Sequence, residues 1–215
     1  MARNDTLGRI AATGIVPVVR ARSAEEALAV VDAIRAGGVD VIELTMTVPG
    51  AVEVIRELAR RYRDEVVLGA GTVLDAETAR ACMMAGAQFV VSPILDEACI
   101  ACCRTYSVPM IPGALTPTEI VRAWRAGAAM VKIFPCSAVG GASYVRAVKA
   151  PLPQIDLLPT GGVSLATVGD YIAAGASAVG AGADLVDVAK IRAGEAAAVT
   201  EKARQYVRAV AAARS

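Results

Sequence analysis

Ala126-Gly127-Ala128-Ala129-Met130-Val131-Lys132-Ile133-Phe134-Pro135 (126–135) contains the unit from which the whole chain is built. Glycine follows alanine where a helix should stop, because glycine takes the left-handed backbone of a C-terminal cap without strain. An apolar run follows at once, as expected of a strand buried on both faces. The same stop and restart recurs at Ala36-Gly37-Gly38, Ala85-Gly86-Ala87 and Ala174-Gly175-Ala176. Working outward from these points, strands are expected at 15–19, 39–46, 66–73, 89–93, 109–113, 130–135, 156–160 and 178–182. Ala/Glu/Arg-rich helical stretches separate them, with no long linker. The pattern predicts an α/β fold, a (β/α)8 TIM barrel forming a single domain over 1–215. A helix within 1–12 (about 3–12) is expected to cap the barrel bottom, the strands to occupy 14–183, and 192–213 to form a closing helix. A doubly wound open sheet also alternates in this way, but it seldom runs to eight regular units in so few residues.

Composition narrows the function classes. The 215 residues are 55% hydrophobic and 20% charged, with a formal net charge of +1, which suits neither a nucleic-acid face nor a membrane-surface helix. No apolar run reaches the length of a membrane span, and the first residues lack the apolar stretch of a secretion signal. A cytoplasmic protein is therefore the expectation. Five cysteines, an odd number, suit free thiols. Cys99, Cys102 and Cys103 share one helix face, but no second cysteine pair follows at zinc-site spacing. The chain contains no histidine, which removes histidine bases, histidine metal sites and Ser-His-Asp triads together.

Lys132 is one of only four lysines, and it stands inside an apolar strand. A buried ammonium without a partner costs several kcal/mol and tends to lose its proton. The neutral amine is then a nucleophile suited to forming a Schiff base with a ketone. A structural lysine paired with a carboxylate is the plain alternative. Glu43, in Val-Ile-Glu-Leu (41–44), is a second charge inside an apolar strand. On a barrel, function gathers at the C-terminal ends of strands, and inward side chains of even-numbered strands share layers. Strands two and six would therefore aim Glu43 and Lys132 into one interior. A buried amine and a buried carboxylate are what carbonyl chemistry requires, a nucleophile and an acid/base. Other strand ends carry Arg20, Thr45, Thr47, Thr72, Ser92, Pro93 and Phe134.

Leu-Pro-Thr-Gly-Gly-Val-Ser (158–164) and Val-Gly-Ala-Gly-Ala (179–183) place glycines after strands seven and eight. Such turns let backbone N–H groups approach a phosphate, aided where a helix begins. Gly69-Ala70-Gly71 lacks the third glycine of a dinucleotide fingerprint.

Seven blocks in order then carry a family resemblance: 14–20, 37–45, 69–74, 86–93, 111–113, Val-Lys-Ile-Phe-Pro (131–135) and Pro-Thr-Gly-Gly-Val (159–163). From about residue 8 to residue 207 the chain closely resembles the class I 2-keto-3-deoxy-6-phosphogluconate (KDPG) aldolases. That group also includes 4-hydroxy-2-oxoglutarate aldolases. The resemblance implies that Lys132 is the Schiff-base lysine and Glu43 the general acid/base. It places Thr72 on the pyruvyl carboxylate, Pro93 and Phe134 in the pocket wall, and Thr160, Gly161 and Gly162 near the distal phosphate. It also implies a homotrimer acting on small molecules, pyruvate and an aldehyde such as glyceraldehyde 3-phosphate, with no metal and no cofactor. Two positions depart from the pattern. Thr47 stands where relatives carry an arginine on the substrate carboxylate, and Ala183 where a serine helps hold phosphate. Arg20 and the backbone at Gly161, Gly162 and Gly182 are expected to carry anion binding instead, with looser selectivity for phosphorylated substrates. Two other classes use the same residues differently: a non-catalytic barrel binding a phosphorylated sugar acid, and an isomerase or epimerase with Glu43 as base.

Overall fold

The computed structural model describes residues 3–215. After α1 (Arg3–Thr13), nine short strands alternate with helices, except that β5 and β6 follow directly on one another. The strands are β1 (Ile15–Val19), β2 (Val41–Thr45), β3 (Val67–Gly71), β4 (Phe89–Val91), β5 (Met110–Ile111), β6 (Gly113–Ala114), β7 (Val131–Ile133), β8 (Leu157–Pro159) and β9 (Val179–Ala181). Between and after them come α2 (Ala24–Ala36), α3 (Ala51–Tyr62), α4 (Ala76–Ala85), α5 (Glu97–Thr105), α6 (Pro117–Ala126), α7 (Ala142–Lys149), α8 (Val168–Ala173), α9 (Val188–Arg192) and α10 (Ala196–Arg214). All strand pairs are parallel, in the orders β5-β4-β3-β2-β1-β9 and β6-β7-β8. A parallel bridge from Thr160 to Gly180 joins the two sets.

The expected fifth strand is split. Pro112 has no N–H to donate, so the ladder breaks there: β5 pairs with β4, and β6 pairs with β7. The closing helix begins at Ala196 rather than 192, because Gly194 takes φ 78° and separates it from α9. Residues 1 and 2 of the expected N-terminal helix lie outside the described residues. The helix stops behave as read: Gly86 and Gly127 cap α4 and α6 in the left-handed region. After α2 the second glycine, Gly38, takes that conformation in place of Gly37.

Two apolar cores follow from strand alternation. The larger one lies between strands and helices. The smaller comprises Val16, Val41, Val67, Phe89, Val91, Ile111, Met130, Leu158 and Ala178, with Ile10 of α1 among them. These are the side chains on the other, concave face of the strands. Each such aliphatic side chain contributes about 1.5–3 kcal/mol by leaving water. Among the described residues, no helix is long and apolar enough to cross a membrane.

Candidate active site

The strand period places the charged residues. Glu43 is two residues beyond Val41, Lys132 two beyond Met130, and Thr160 two beyond Leu158. All three therefore rise from the concave face, one layer above the apolar cluster. Lys132 is 2% exposed and Glu43 is fully buried. Neither takes part in an ion pair among the described residues, so the structural Lys–Glu pair weighed against a functional site is not formed. Both carboxylate oxygens of Glu43 lack any hydrogen-bond donor. Native proteins rarely leave such groups unsatisfied, because desolvation then goes uncompensated. Lys132 Nζ lies 5.2 Å from the centre of the Phe134 ring, within reach of the attraction between a cation and an aromatic face.

Glycine makes the room. A Cβ on Gly71 would overlap the Glu43 carboxylate, and one on Gly180 would overlap the Thr160 side chain. The alternation that places Glu43 also runs 67, 69, 71 on β3, so Gly71 was legible as its neighbour but went unread.

Two cavities open above this layer and share Phe134, which is half-buried. One, of about 310 Å³, is lined by Val18, Arg20, Thr160, Gly161, Gly162, Val163, Gly182, Ala183 and Asp184. It gathers Arg20, Phe134, Thr160, Gly161, Gly162 and Gly182 as the sequence leads one to expect. The guanidinium of Arg20 is exposed and, among the described residues, forms no ion pair; a Cβ on Gly182 would lie 3.6 Å from it. Among the described residues, the N–H groups of Gly161, Gly162 and Gly182 donate to no partner in the protein. Gly161 (φ 93°) and Gly162 (φ 73°) both lie in the left-handed region, and a Cβ on Gly162 would overlap Ser137. The helix that follows, α8, begins only at Val168, so these amides project from a turn and not from a helix start.

The second cavity, of about 390 Å³, contains Pro93 together with Gly113, Leu115, Glu119 and Arg122. Pro93 is therefore set apart from the Arg20 group, and the buried Lys132 and Glu43 line neither cavity. Thr72, half-buried just beyond β3, holds φ 60°, a conformation costing a β-branched residue about 1–3 kcal/mol. Strain of that kind clusters at functional positions. Thr47 is exposed and its hydroxyl is 2.6 Å from that of Thr45. Thr45 gives its one proton to the Val19 carbonyl at 3.0 Å, so Thr47 must donate to Thr45 and has no proton left for a substrate carboxylate. The cysteines belong to packing: Cys99 and Cys103 are buried, and burial pushes the Cys103 thiol up to about 12.

The sequence reading missed Asp184. It lines the cavity of about 310 Å³, and its Oδ2 accepts from the Tyr206 hydroxyl at 2.7 Å and the Leu165 N–H at 3.1 Å, with Lys202 Nζ at 3.4 Å. Burial acts to raise this carboxyl, but Tyr206, Leu165 and Lys202 together hold it below the usual value.

The chain matches the family model for KDPG and KHG aldolases over residues 8–202. It is 36% identical over 196 residues to a 2-dehydro-3-deoxy-phosphogluconate aldolase of Treponema pallidum, covering 91% of this chain and 93% of that one. A KHG/KDPG aldolase of Escherichia coli K12 is 36% identical over 193 residues, 90% of each chain. Among solved structures, a Legionella pneumophila KDPG aldolase with pyruvate captured as a covalent carbinolamine superposes with TM-score 0.86 at 28% identity, covering 93% of this chain and 96% of that one. The chain belongs to the KDPG and KHG aldolase family.

Proposed function

We propose that the chain is a class I aldolase, a lyase that cleaves 4-hydroxy-2-oxo acids such as KDPG into pyruvate and an aldehyde. The observation that carries this reading is that Lys132 and Glu43 are both buried on one concave face, with neither in an ion pair among the described residues and the Glu43 oxygens without a donor. The Lys132 amine adds to C2 of the ketone to give a carbinolamine, and loss of water gives the protonated imine. Glu43 assists the proton transfers and then accepts the proton of the C4 hydroxyl. As C3–C4 breaks, its electron pair moves into the imine to form an enamine, and C4 leaves as the aldehyde. Protonation at C3 and hydrolysis release pyruvate and restore Lys132. The iminium is the electron sink, so the chemistry closes without a cofactor or metal.

In this reading Thr72 meets the pyruvyl carboxylate, Pro93 and Phe134 wall the pocket, and Arg20 faces the distal anion with Thr160, Gly161, Gly162 and Gly182. Thr47 contributes little, since its proton is already spent. The architecture proposed around it is one domain over 1–215, in which β5 and β6 are the halves of one strand of an eight-strand barrel. The Thr160–Gly180 bridge supports closure, and Ile10 within the inner core supports α1 as the cap at its bottom. A cytoplasmic homotrimer follows from the family resemblance and is tested by light scattering. Release of pyruvate from KDPG and from 4-hydroxy-2-oxoglutarate by the purified chain tests the activity; no pyruvate from either contradicts it.

A further inference from the structure

We infer that Asp184 is a positioning residue that fixes the two amide-bearing turns of the distal anion site against the closing helix. This rests on the placement of the substrate's distal anion at Gly161, Gly162, Gly182 and Arg20. Those amides come from two separate turns, one after β8 and one after β9. Among the described residues, the two segments are joined by the bridge from Thr160 to Gly180 and by the Ser177 N–H donating to the Leu157 carbonyl at 3.0 Å, both before the turns begin. Asp184 lies two residues after Gly182 and takes the Leu165 N–H at 3.1 Å, three residues beyond Gly162. One side chain thus ties the end of each turn to the other. The same oxygen takes the Tyr206 hydroxyl at 2.7 Å, and Tyr206 is fully buried in α10. Lys202, also on α10, stands 3.4 Å away and balances the charge.

A carboxylate lining an anion cavity would otherwise repel the anion. Here the Tyr206 hydroxyl, the Leu165 N–H and the Lys202 ammonium converge on Oδ2, so much of its charge is already engaged within the protein. Two glycines in the left-handed region make the β8 turn intrinsically loose, because glycine surrenders more backbone freedom than any other residue when ordered. An external tether at Leu165 therefore matters more here than in a turn stiffened by side chains. Ala183, beside it, offers no hydroxyl of its own, so binding depends on how well the amides are spaced.

The test compares wild type, Asp184→Asn, Asp184→Ala and Tyr206→Phe. Each is assayed for KDPG cleavage, for exchange of the C3 protons of pyruvate with deuterium, and for binding of inorganic phosphate by calorimetry. A lost charge-assisted hydrogen bond is typically worth a ten- to hundredfold effect, so Asp184→Ala should raise the KM for KDPG and the Kd for phosphate roughly tenfold or more. Pyruvate exchange, which needs only the imine end, should change less than about threefold, as expected of a separate site. Asp184→Asn keeps an acceptor and should recover most of the loss, and Tyr206→Phe should move KM in the same direction by a smaller factor. Equal losses in KDPG cleavage and pyruvate exchange would mean a merely structural role and overturn the inference. Tighter phosphate binding in Asp184→Asn would overturn it by showing repulsion. Unchanged or undetectable phosphate binding would do the same. Absence of pyruvate exchange in wild type would instead count against the aldolase reading, leaving the phosphate measurement to decide on Asp184. If Asp184→Ala does not fold, the Asn and Phe variants carry the test.

Discussion

Glu43 and Asp184 are both carboxylates near the candidate site, one buried and one exposed, and they are treated in opposite ways. Glu43 is fully buried and neither oxygen receives a donor. Asp184 is partly exposed, yet a hydroxyl, a backbone N–H and an ammonium converge on one of its oxygens. A satisfied carboxylate stiffens what it touches, whereas a bare one has free lone pairs for a substrate proton. On the proposed reading, the number of partners marks which of the two serves chemistry and which serves scaffolding.

The largest test of that contrast lies at Lys132, the other buried ionisable residue of this face, which forms no ion pair among the described residues. Lys132→Met fills similar volume without the amine, so the protein should remain folded while KDPG turnover falls by roughly 10⁴-fold or more, a fraction of the acceleration enzymes commonly provide. Glu43→Gln should slow turnover by roughly 10²- to 10⁴-fold, the usual share of general acid/base catalysis, with the pyruvate imine still detectable. Turnover at the wild-type rate in Glu43→Gln would assign the proton transfers to another group. Arg20→Ala should lower kcat/KM for KDPG about ten- to a hundredfold and for 4-hydroxy-2-oxoglutarate less, because one charge-assisted contact is lost. A preference for KDPG above about 10⁴-fold that survives Arg20→Ala would contradict the loose selectivity argued from Thr47 and Ala183, since such discrimination needs further polar contacts.

Stability supplies the smallest and sharpest contrast. Glu43→Leu removes a buried, unsatisfied carboxylate and should stabilise the fold by about 1–3 kcal/mol while abolishing turnover. A lower Tm would show that Glu43 has partners in solution. Asp184 has the opposite sign: its lowered pKa means that its contribution is complete above the ordinary value of 3.8 and is lost as pH falls below it. Wild type should therefore be more stable than Asp184→Asn at neutral pH, and the gap should close below about pH 3.8 in melts followed by circular dichroism.

Much of this was readable from residues alone, for identifiable reasons. Lys132 and Glu43 stand out because a charge in an apolar strand breaks the pattern around it, and the Ala-Gly stops mark the ends of α2, α4, α6 and α8, though α3, α5 and α7 end without one. The split at Pro112 was missed because the apolar run 109–113 reads as one strand unless the missing N–H is counted. That Thr47 has no free proton was hidden, because Thr45 claims it only once its own proton goes to a carbonyl on a different strand. Asp184 carries no local signal at all. Its partners are Leu165, Lys202 and Tyr206, and only the fold brings them together.

The central claim is that Lys132 forms a covalent imine with a 2-oxo acid, and trapping tests it most directly. The protein is incubated with pyruvate and borohydride, digested, and its peptides are mapped by mass spectrometry. The account predicts one reduced pyruvyl unit on the peptide containing Lys132 and none in Lys132→Met. An adduct on Lys149, Lys190 or Lys202 instead, or no adduct from protein that cleaves KDPG, would contradict it.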